Sequence, residues 1–262
     1  SHGVLLSGGS LANFTAVVAA REKNAGEDLS LLCAYTSAHT HYSSAKALRL
    51  AGIKNLRSID VNENYSIDLN KLEEAIENDL KNGLKPFLII ASAGTTNTGA
   101  VDDLEALSEI VRKNDLWLHV DAAYGGFFQL VDYGKNKLKG ISKADSITLD
   151  PHKGMFLPYG TGALIVKDRQ HLYDAFKLTS EVLPDFDDTK IDYCHLSPEL
   201  TRDWRGLRIW LPLKIGGVET FRALIQEKLD LTRLALNELK KIPQIKILTE
   251  PDLTVIAFQY HN

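Results

Sequence analysis

Short runs of apolar, often β-branched residues alternate along the chain with stretches in which apolar residues recur every three or four positions. The first pattern has the length of a buried strand and the second the period of an amphipathic helix. Read this way, strands fall at residues 30–36, 56–61, 86–93, 116–120, 146–149 and 162–166, and helices at 11–23, 43–51, 69–82, 104–113 and 170–177. Regular alternation of the two predicts an α/β fold with a mostly parallel sheet flanked by helices. The opening Ser1-His-Gly-Val-Leu-Leu6 and the closing stretch 253–260 read as further strands, and the chain is expected to be an internal piece of a longer protein.

Local signals support several boundaries. Asp68 suits the N-cap of the helix that follows it, and Gly99 permits a turn ahead of Asp102 and Asp103, whose charge suits a helix N-terminus. Periodicity lapses over residues 178–205, a connection long enough to suggest function. Helical period returns over 208–241 with an interruption at Gly216-Gly217. The expected division is a large ligand-binding domain over 1–242, its N-terminal part missing, and the truncated start of a smaller C-terminal domain over 243–262.

Composition narrows the function. With 30 Lys+Arg against 34 Asp+Glu the formal charge is −4, so nothing electrostatic favours nucleic acid or an anionic membrane as partner. No stretch nears the ~20 apolar residues that span a bilayer, and no signal peptide is visible, which makes the cytoplasm the expected compartment. Cys33 and Cys194 are too far apart and too few for a disulfide framework or a zinc site; reduced structural thiols and no metal are expected.

Three clusters carry chemistry. Ser7-Gly8-Gly9-Ser10 lies between a strand and a helix, where glycines let backbone approach an anion and helix amides favour a phosphate; taken alone it reads equally well as a tight turn capped by Ser10. Its spacing fits neither a P-loop nor a dinucleotide fingerprint. Asp121 ends a buried strand and is followed by Ala122-Ala123, small residues that leave room for a flat ring at the sheet edge where α/β ligands bind. Asp150-Pro151-His152-Lys153 ends another strand in a Pro-stiffened turn that presents an amine. A phosphate cradle, a strand-end carboxylate for a pyridine nitrogen and a lysine for an aldehyde are together what pyridoxal phosphate (PLP) requires.

Five segments, Ser7-Gly-Gly-Ser-x-Ala-Asn13, His39-Thr-His41-Tyr-Ser43, Ala93-Gly-Thr-Thr96, His119-Val-Asp-Ala-Ala-Tyr-Gly125 and Asp150-Pro-His-Lys153, resemble the motif series of the group II PLP-dependent amino-acid decarboxylases. This is the family of the aromatic-L-amino-acid, glutamate and histidine decarboxylases. The resemblance runs over nearly the whole chain. It implies the aspartate aminotransferase-like (type I) fold and a homodimer with its active site near the subunit interface. It also implies that Lys153 forms the Schiff base, Asp121 pairs with the pyridinium nitrogen, His41 stacks on the ring and Ala123 packs on its other face. Gly9 and Ser10 would hold the phosphate with help from His152, and Thr96 would lie near the ring substituents. The catalytic set is then Lys153, His41 and Asp121.

Two positions depart from the family pattern. Asp150 stands where many members have Asn, and a carboxylate beside a phosphate is repelled unless turned away or neutralised, so Asp150 is not assigned as a phosphate ligand. Val182 aligns with the loop tyrosine that protonates the carbanion in relatives; Tyr193, later in the same stretch, replaces it only if the loop runs differently. The expected reaction is decarboxylation of an L-amino acid, aromatic slightly ahead of acidic, to an amine and carbon dioxide. The alternatives are an aldehyde-forming oxidative decarboxylase-deaminase and a catalytically weak homologue acting as a structural or regulatory subunit.

Overall fold

The computed structural model describes residues 2–24, 28–177 and 191–261. Seven strands form one sheet: β1 (His2–Leu6), β2 (Leu32–Ser37), β3 (Asn55–Ile59), β4 (Lys85–Ser92), β5 (Trp117–Asp121), β6 (Ser146–Leu149) and β7 (Gly162–Val166). Their spatial order is β1-β7-β6-β5-β4-β2-β3, with β3, β2, β4, β5 and β6 parallel and β7 antiparallel to both of its neighbours. The helices between them are α1 (Gly9–Glu22), α2 (Tyr42–Leu50), α3 (Leu69–Lys81), α4 (Leu104–Asn114), α5 (Asp132–Lys137), α6 (Pro151–Gly154) and α7 (Gln170–Phe176).

The central strands are apolar on both faces, and the pleat divides them between two cores. Tyr35 of β2 and Ile89 of β4 point into a cluster with Leu72 and Ile76 of α3 and Leu107 of α4. The alternate residues Ala34, Leu88 and Ile90 join the other cluster with Ala16 and Val17 of α1 and Leu48 of α2. Helix α1 is not amphipathic as its sequence suggests: residues 15–20 are all buried, because the helix lies between the sheet and the α2 and α7 helices. Its small side chains allow that approach.

The long helix α8 (Arg205–Leu239) contains Pro212 and breaks at Gly217, whose φ of 70° and ψ of 164° are not helical. Two short strands, β8 (Ile245–Ile247) and β9 (Phe258–Tyr260), form a separate antiparallel ribbon. The strand expected over 253–260 is thus confined to its last three residues. Leu253 is instead drawn into the sheet core, and Thr254 is tied by its backbone N–H to the Tyr124 hydroxyl at 3.0 Å, which bends the chain before β9. Of the stretch 178–205, residues 178–190 lie outside the described residues, and Val182 with them. Among the described residues no helix is long and apolar enough to cross a membrane.

Candidate active site

A pocket of about 510 Å³ opens at the carboxyl ends of the strands, lined after β1 by Ser7 to Ser10, after β2 by His41, at the end of β4 by Ser92 and Gly94 to Thr96, at the end of β5 by Asp121, Ala123 and Tyr124, and after β6 by Asp150, His152 and Lys153. This is the edge where a doubly wound sheet binds ligands, beside the point where the connection from β2 runs outward to β3 and that from β3 returns to β4. Gly9, Ser10, His41, Thr96, Asp121, Ala123, His152 and Lys153 all border it.

Gly8 caps α1 with its carbonyl, which accepts from Leu11 and Ala12 at 3.1 Å each, and no side chain caps the helix. Ser10 sits inside the first turn, so the reading of Ser10 as a cap does not hold. The amides of Gly9 and Ser10 come before any intrahelical acceptor is available to them. A Cβ on Gly9 would stand 3.0 Å from Asp150 Oδ2 and 3.2 Å from Ala123 Cβ, so this turn lies flat against the β5 and β6 ends.

Asp121 is the last residue of β5. Its Oδ1 accepts from the Ala123 amide at 3.2 Å and its Oδ2 from Asn13 Nδ2 at 2.7 Å. His119, two residues earlier and fully enclosed, has its pKa lowered to about 4 by burial, against the opposing pull of the Asp121 charge. It is a neutral ring at any physiological pH.

Lys153 comes from the one-turn helix α6, which Pro151 starts directly after β6. Its Nζ lies 3.1 Å from Asp150 Oδ2, and His152 Nε2 lies 3.6 Å from the same oxygen. Burial pushes the Asp150 carboxyl above its usual range, while Lys153 and His152 pull it back. Asp150 thus faces Lys153 and His152 rather than an anion alone. His152 donates Nδ1–H to the Thr161 carbonyl at 2.6 Å and turns its Nε2 toward Asp150.

His41 is the N-cap of α2, its ring Nδ1 accepting from the Ser43 amide at 3.3 Å. Thr96 is exposed on the pocket rim, whereas Thr95 is buried and bonded to Thr98. Tyr193 stands elsewhere: it borders a different depression with Gly3, Leu5 and Arg202, apart from Lys153. Asn13, Ser43 and Tyr124, which the sequence motifs contain without a role, and Ser92, which no motif contains, also line the pocket. For Asn13 a signal existed, since an Asn inside the Ala/Val-rich run of α1 has to find partners when buried.

The sequence matches the pyridoxal-dependent decarboxylase conserved domain over residues 1–261. It is 36% identical over 265 residues to the aromatic-L-amino-acid decarboxylase of Bacillus atrophaeus, covering 99% of this chain and 55% of that protein. Identity to tyrosine decarboxylase 2 of Arabidopsis thaliana is 35% over 268 residues, 98% of this chain and 49% of that protein. The structure superposes on that of Oryza sativa TDC with PLP and tryptamine with a TM-score of 0.93 at 27% identity, over 99% of this chain and 56% of the other. Mouse CSAD superposes equally well, with a TM-score of 0.93 at 29% identity over 99% and 56%. The chain therefore spans about half the length of the relatives it matches. On the match along its whole length and a fold shared with PLP-bound enzymes, the chain belongs to the pyridoxal-dependent decarboxylase family.

Proposed function

We propose that the full-length protein decarboxylates an L-amino acid, aromatic ahead of acidic, with pyridoxal phosphate held in this pocket. The observation that carries the reading is the convergence of Lys153, Asp121, His41 and the Gly9–Ser10 turn on one cavity. The donor set fits the cofactor: a glycine turn against which a Cβ would crowd, helix amides for a phosphate, the Asp121 carboxylate for a ring nitrogen and the Lys153 amine in the same pocket. When bound, PLP supplies an aldehyde for a lysine and a protonated ring that accepts the electron pair left by departing carbon dioxide.

The chain's residues supply the rest. Gly9, Ser10 and His152 hold the phosphate, and His41 and Ala123 confine the ring between them. Asp121 keeps a proton on the ring nitrogen, Thr96 lies beside the ring substituents, and Lys153 is the attachment point. Asp150 holds the Lys153 amine in the pocket at 3.1 Å. The aromatic preference is supported by the relatives named for tyrosine, tryptophan and aromatic amino acids. Residues 243–262 begin the smaller domain in this reading, and the protein acts in the cytoplasm.

A homodimer is part of the proposal. On the first half of α8, Ile209 and Leu213 pack on the Met155–Leu157–Phe221 cluster, while Leu207, Trp210, Leu211 and Ile215 are exposed. An apolar stripe of this kind is what a second copy would cover. Full-length protein purified with PLP is expected to absorb in the visible and to release carbon dioxide from at least one amino acid of a panel. Lys153→Ala is expected to lose both, and an unchanged spectrum in that variant overturns the assignment.

A second reading is favoured by particular observations. The phenylacetaldehyde synthase of Arabidopsis thaliana is 32% identical over 272 residues, 98% of this chain and 55% of that protein, and on the family resemblance Val182, outside the described residues, is expected at the loop-tyrosine position. Without a positioned acid, and with dioxygen as the oxidant, the amino acid yields an aldehyde, carbon dioxide, ammonia and hydrogen peroxide in place of the amine. Val182→Tyr is then expected to raise amine over aldehyde, since a placed acid is worth on the order of 10²–10⁴ in rate. Equal product ratios in the two proteins would refute it.

A further inference from the structure

Behind the pocket runs a chain of hydrogen bonds in which every proton can be placed. A carboxylate only accepts, so the Asn13 atom 2.7 Å from Asp121 Oδ2 is its amide nitrogen, and this fixes the orientation of the side chain. Asn13 Oδ1 then faces His119 Nε2 at 3.0 Å and Thr148 Oγ1 at 2.6 Å and accepts from both. His119, neutral in its enclosed site, therefore carries its one proton on Nε2. Its bare Nδ1 accepts from the Ser146 hydroxyl at 2.8 Å, and Ser146 in turn accepts from the Trp117 indole at 2.8 Å.

The other branch runs to His41. A backbone amide only donates, so the Ser43 N–H at 3.3 Å from His41 Nδ1 requires that nitrogen to be bare. The Ser43 hydroxyl, 2.7 Å from the same nitrogen, must donate too. Its oxygen is left to accept the second amide proton of Asn13 at 3.1 Å. Both ends demand the same orientation of one buried amide, and all of its hydrogen-bonding capacity is used.

We propose that Asn13 is a positioning residue of this active site: it orients the Asp121 carboxylate toward the cofactor's ring nitrogen and, through Ser43, keeps the proton of His41 on Nε2. The inference rests on the PLP reading of the pocket. An uncharged donor suits the task, because it satisfies one Asp121 oxygen without cancelling the charge that a pyridinium needs. A lysine or arginine there would compete with the ring for the carboxylate. His41 is likewise presented with an accepting Nδ1 and a defined donor at Nε2 rather than as a mixture of tautomers.

The test is ¹⁵N NMR of histidine-labelled full-length protein freed of cofactor, with His41→Asn identifying the signal. In the wild type, His41 Nδ1 is expected at the position of an unprotonated, hydrogen-bonded nitrogen and Nε2 at that of a protonated one. Asn13→Asp keeps the acceptor for His119 and Thr148 but turns an oxygen toward Asp121 and Ser43. The Ser43 hydroxyl should then leave His41, moving its Nδ1 signal toward that of free imidazole. The PLP dissociation constant should rise at least about tenfold, and kcat should fall with little change in KM. Ser43→Ala, a smaller change that spares the fold, should move the His41 signal in the same direction. A proton on His41 Nδ1 in the wild type overturns the proposal, as does a His41 signal that neither variant moves. Wild-type protein that gives the expected histidine spectrum yet releases no carbon dioxide speaks against decarboxylation and leaves the proton placement supported.

Discussion

Asp102 ties the pocket wall to the loop before α3 through a single buried carboxyl. Its Oδ1 accepts from the Ile67 amide and its Oδ2 from the Ser92 amide, both at 2.7 Å, and Ser92 lines the pocket. The sequence reading gave Asp102 a place at a helix N-terminus, but Asp103 is the residue that caps α4, accepting from Ala106. Burial raises the Asp102 pKa to about 6, against the two amides that favour the ionised form. The folded-state pKa lies above the unfolded one, so protons favour the fold, and this contribution is lost as pH rises from about 4 through 6. A shift of about two units corresponds to roughly 3 kcal/mol. Asp102→Asn removes that dependence but opposes an NH₂ group to one amide, at a cost of about 1–3 kcal/mol. The variant is expected to be clearly less stable than the wild type at pH 4, with the gap narrowing by pH 7. Urea midpoints of both proteins at the two pH values check this, and a gap that widens with pH would refute it.

At the level of elements, β7 and the turn into α1 are fitted backbone to backbone. A Cβ on Gly162 would stand 2.4 Å from Gly8 Cα and 2.6 Å from its carbonyl carbon, and neither can move without moving the turn. Gly162→Ala is expected to cost about 1–3 kcal/mol and to weaken PLP binding by displacing Gly9 and Ser10. Gly216→Ala serves as a control, because its Cβ meets only Thr220 at 3.7 Å. Equal PLP affinity in the two variants would separate the cradle from β7. The strands and longer helices that frame the pocket were legible because each is a run of one period: 146–149 and 162–166 match β6 and β7, and the others differ by a residue or two at their ends, whereas the one-turn helix α6 is too short to show a period and read as a turn. What was not legible depended on distant partners. The Ala/Val pattern of α1 carries no sign of the α2 and α7 helices that bury it, and the bend at 253–254 depends on Tyr124, some 130 positions earlier. The motif residues could be read because each sits at a strand end. Asn13 is the counter-example, a residue whose partners Asp121, His119 and Thr148 lie 106 to 135 positions away.

For the molecule as a whole, the carboxyl edge of the sheet and the first half of α8 pose the same question of what completes the site. Helix α8 is apolar nearly all round before Gly217, which suits a helix buried on every side. Among the described residues, Ile209 and Leu213 pack on the Met155–Leu157–Phe221 cluster, while Leu207, Trp210, Leu211 and Ile215 stay exposed. Trp210 is 58% exposed and Ile215 78%, values that belong to an interface rather than to a surface adapted to water. Burial of large apolar side chains is worth about 1.5–3 kcal/mol each, so placing charge at two such positions should raise a dimer dissociation constant by at least about 10². The full-length protein is expected to sediment as a dimer, and the double variant Trp210→Glu, Ile215→Glu as a monomer that retains its secondary structure. Because α8 is continuous with the Met155–Leu157 cluster that follows Lys153, dissociation should also weaken PLP retention. A wild type that sediments as a monomer would remove the partner subunit from the proposal, and a variant that stays dimeric would move the interface away from α8.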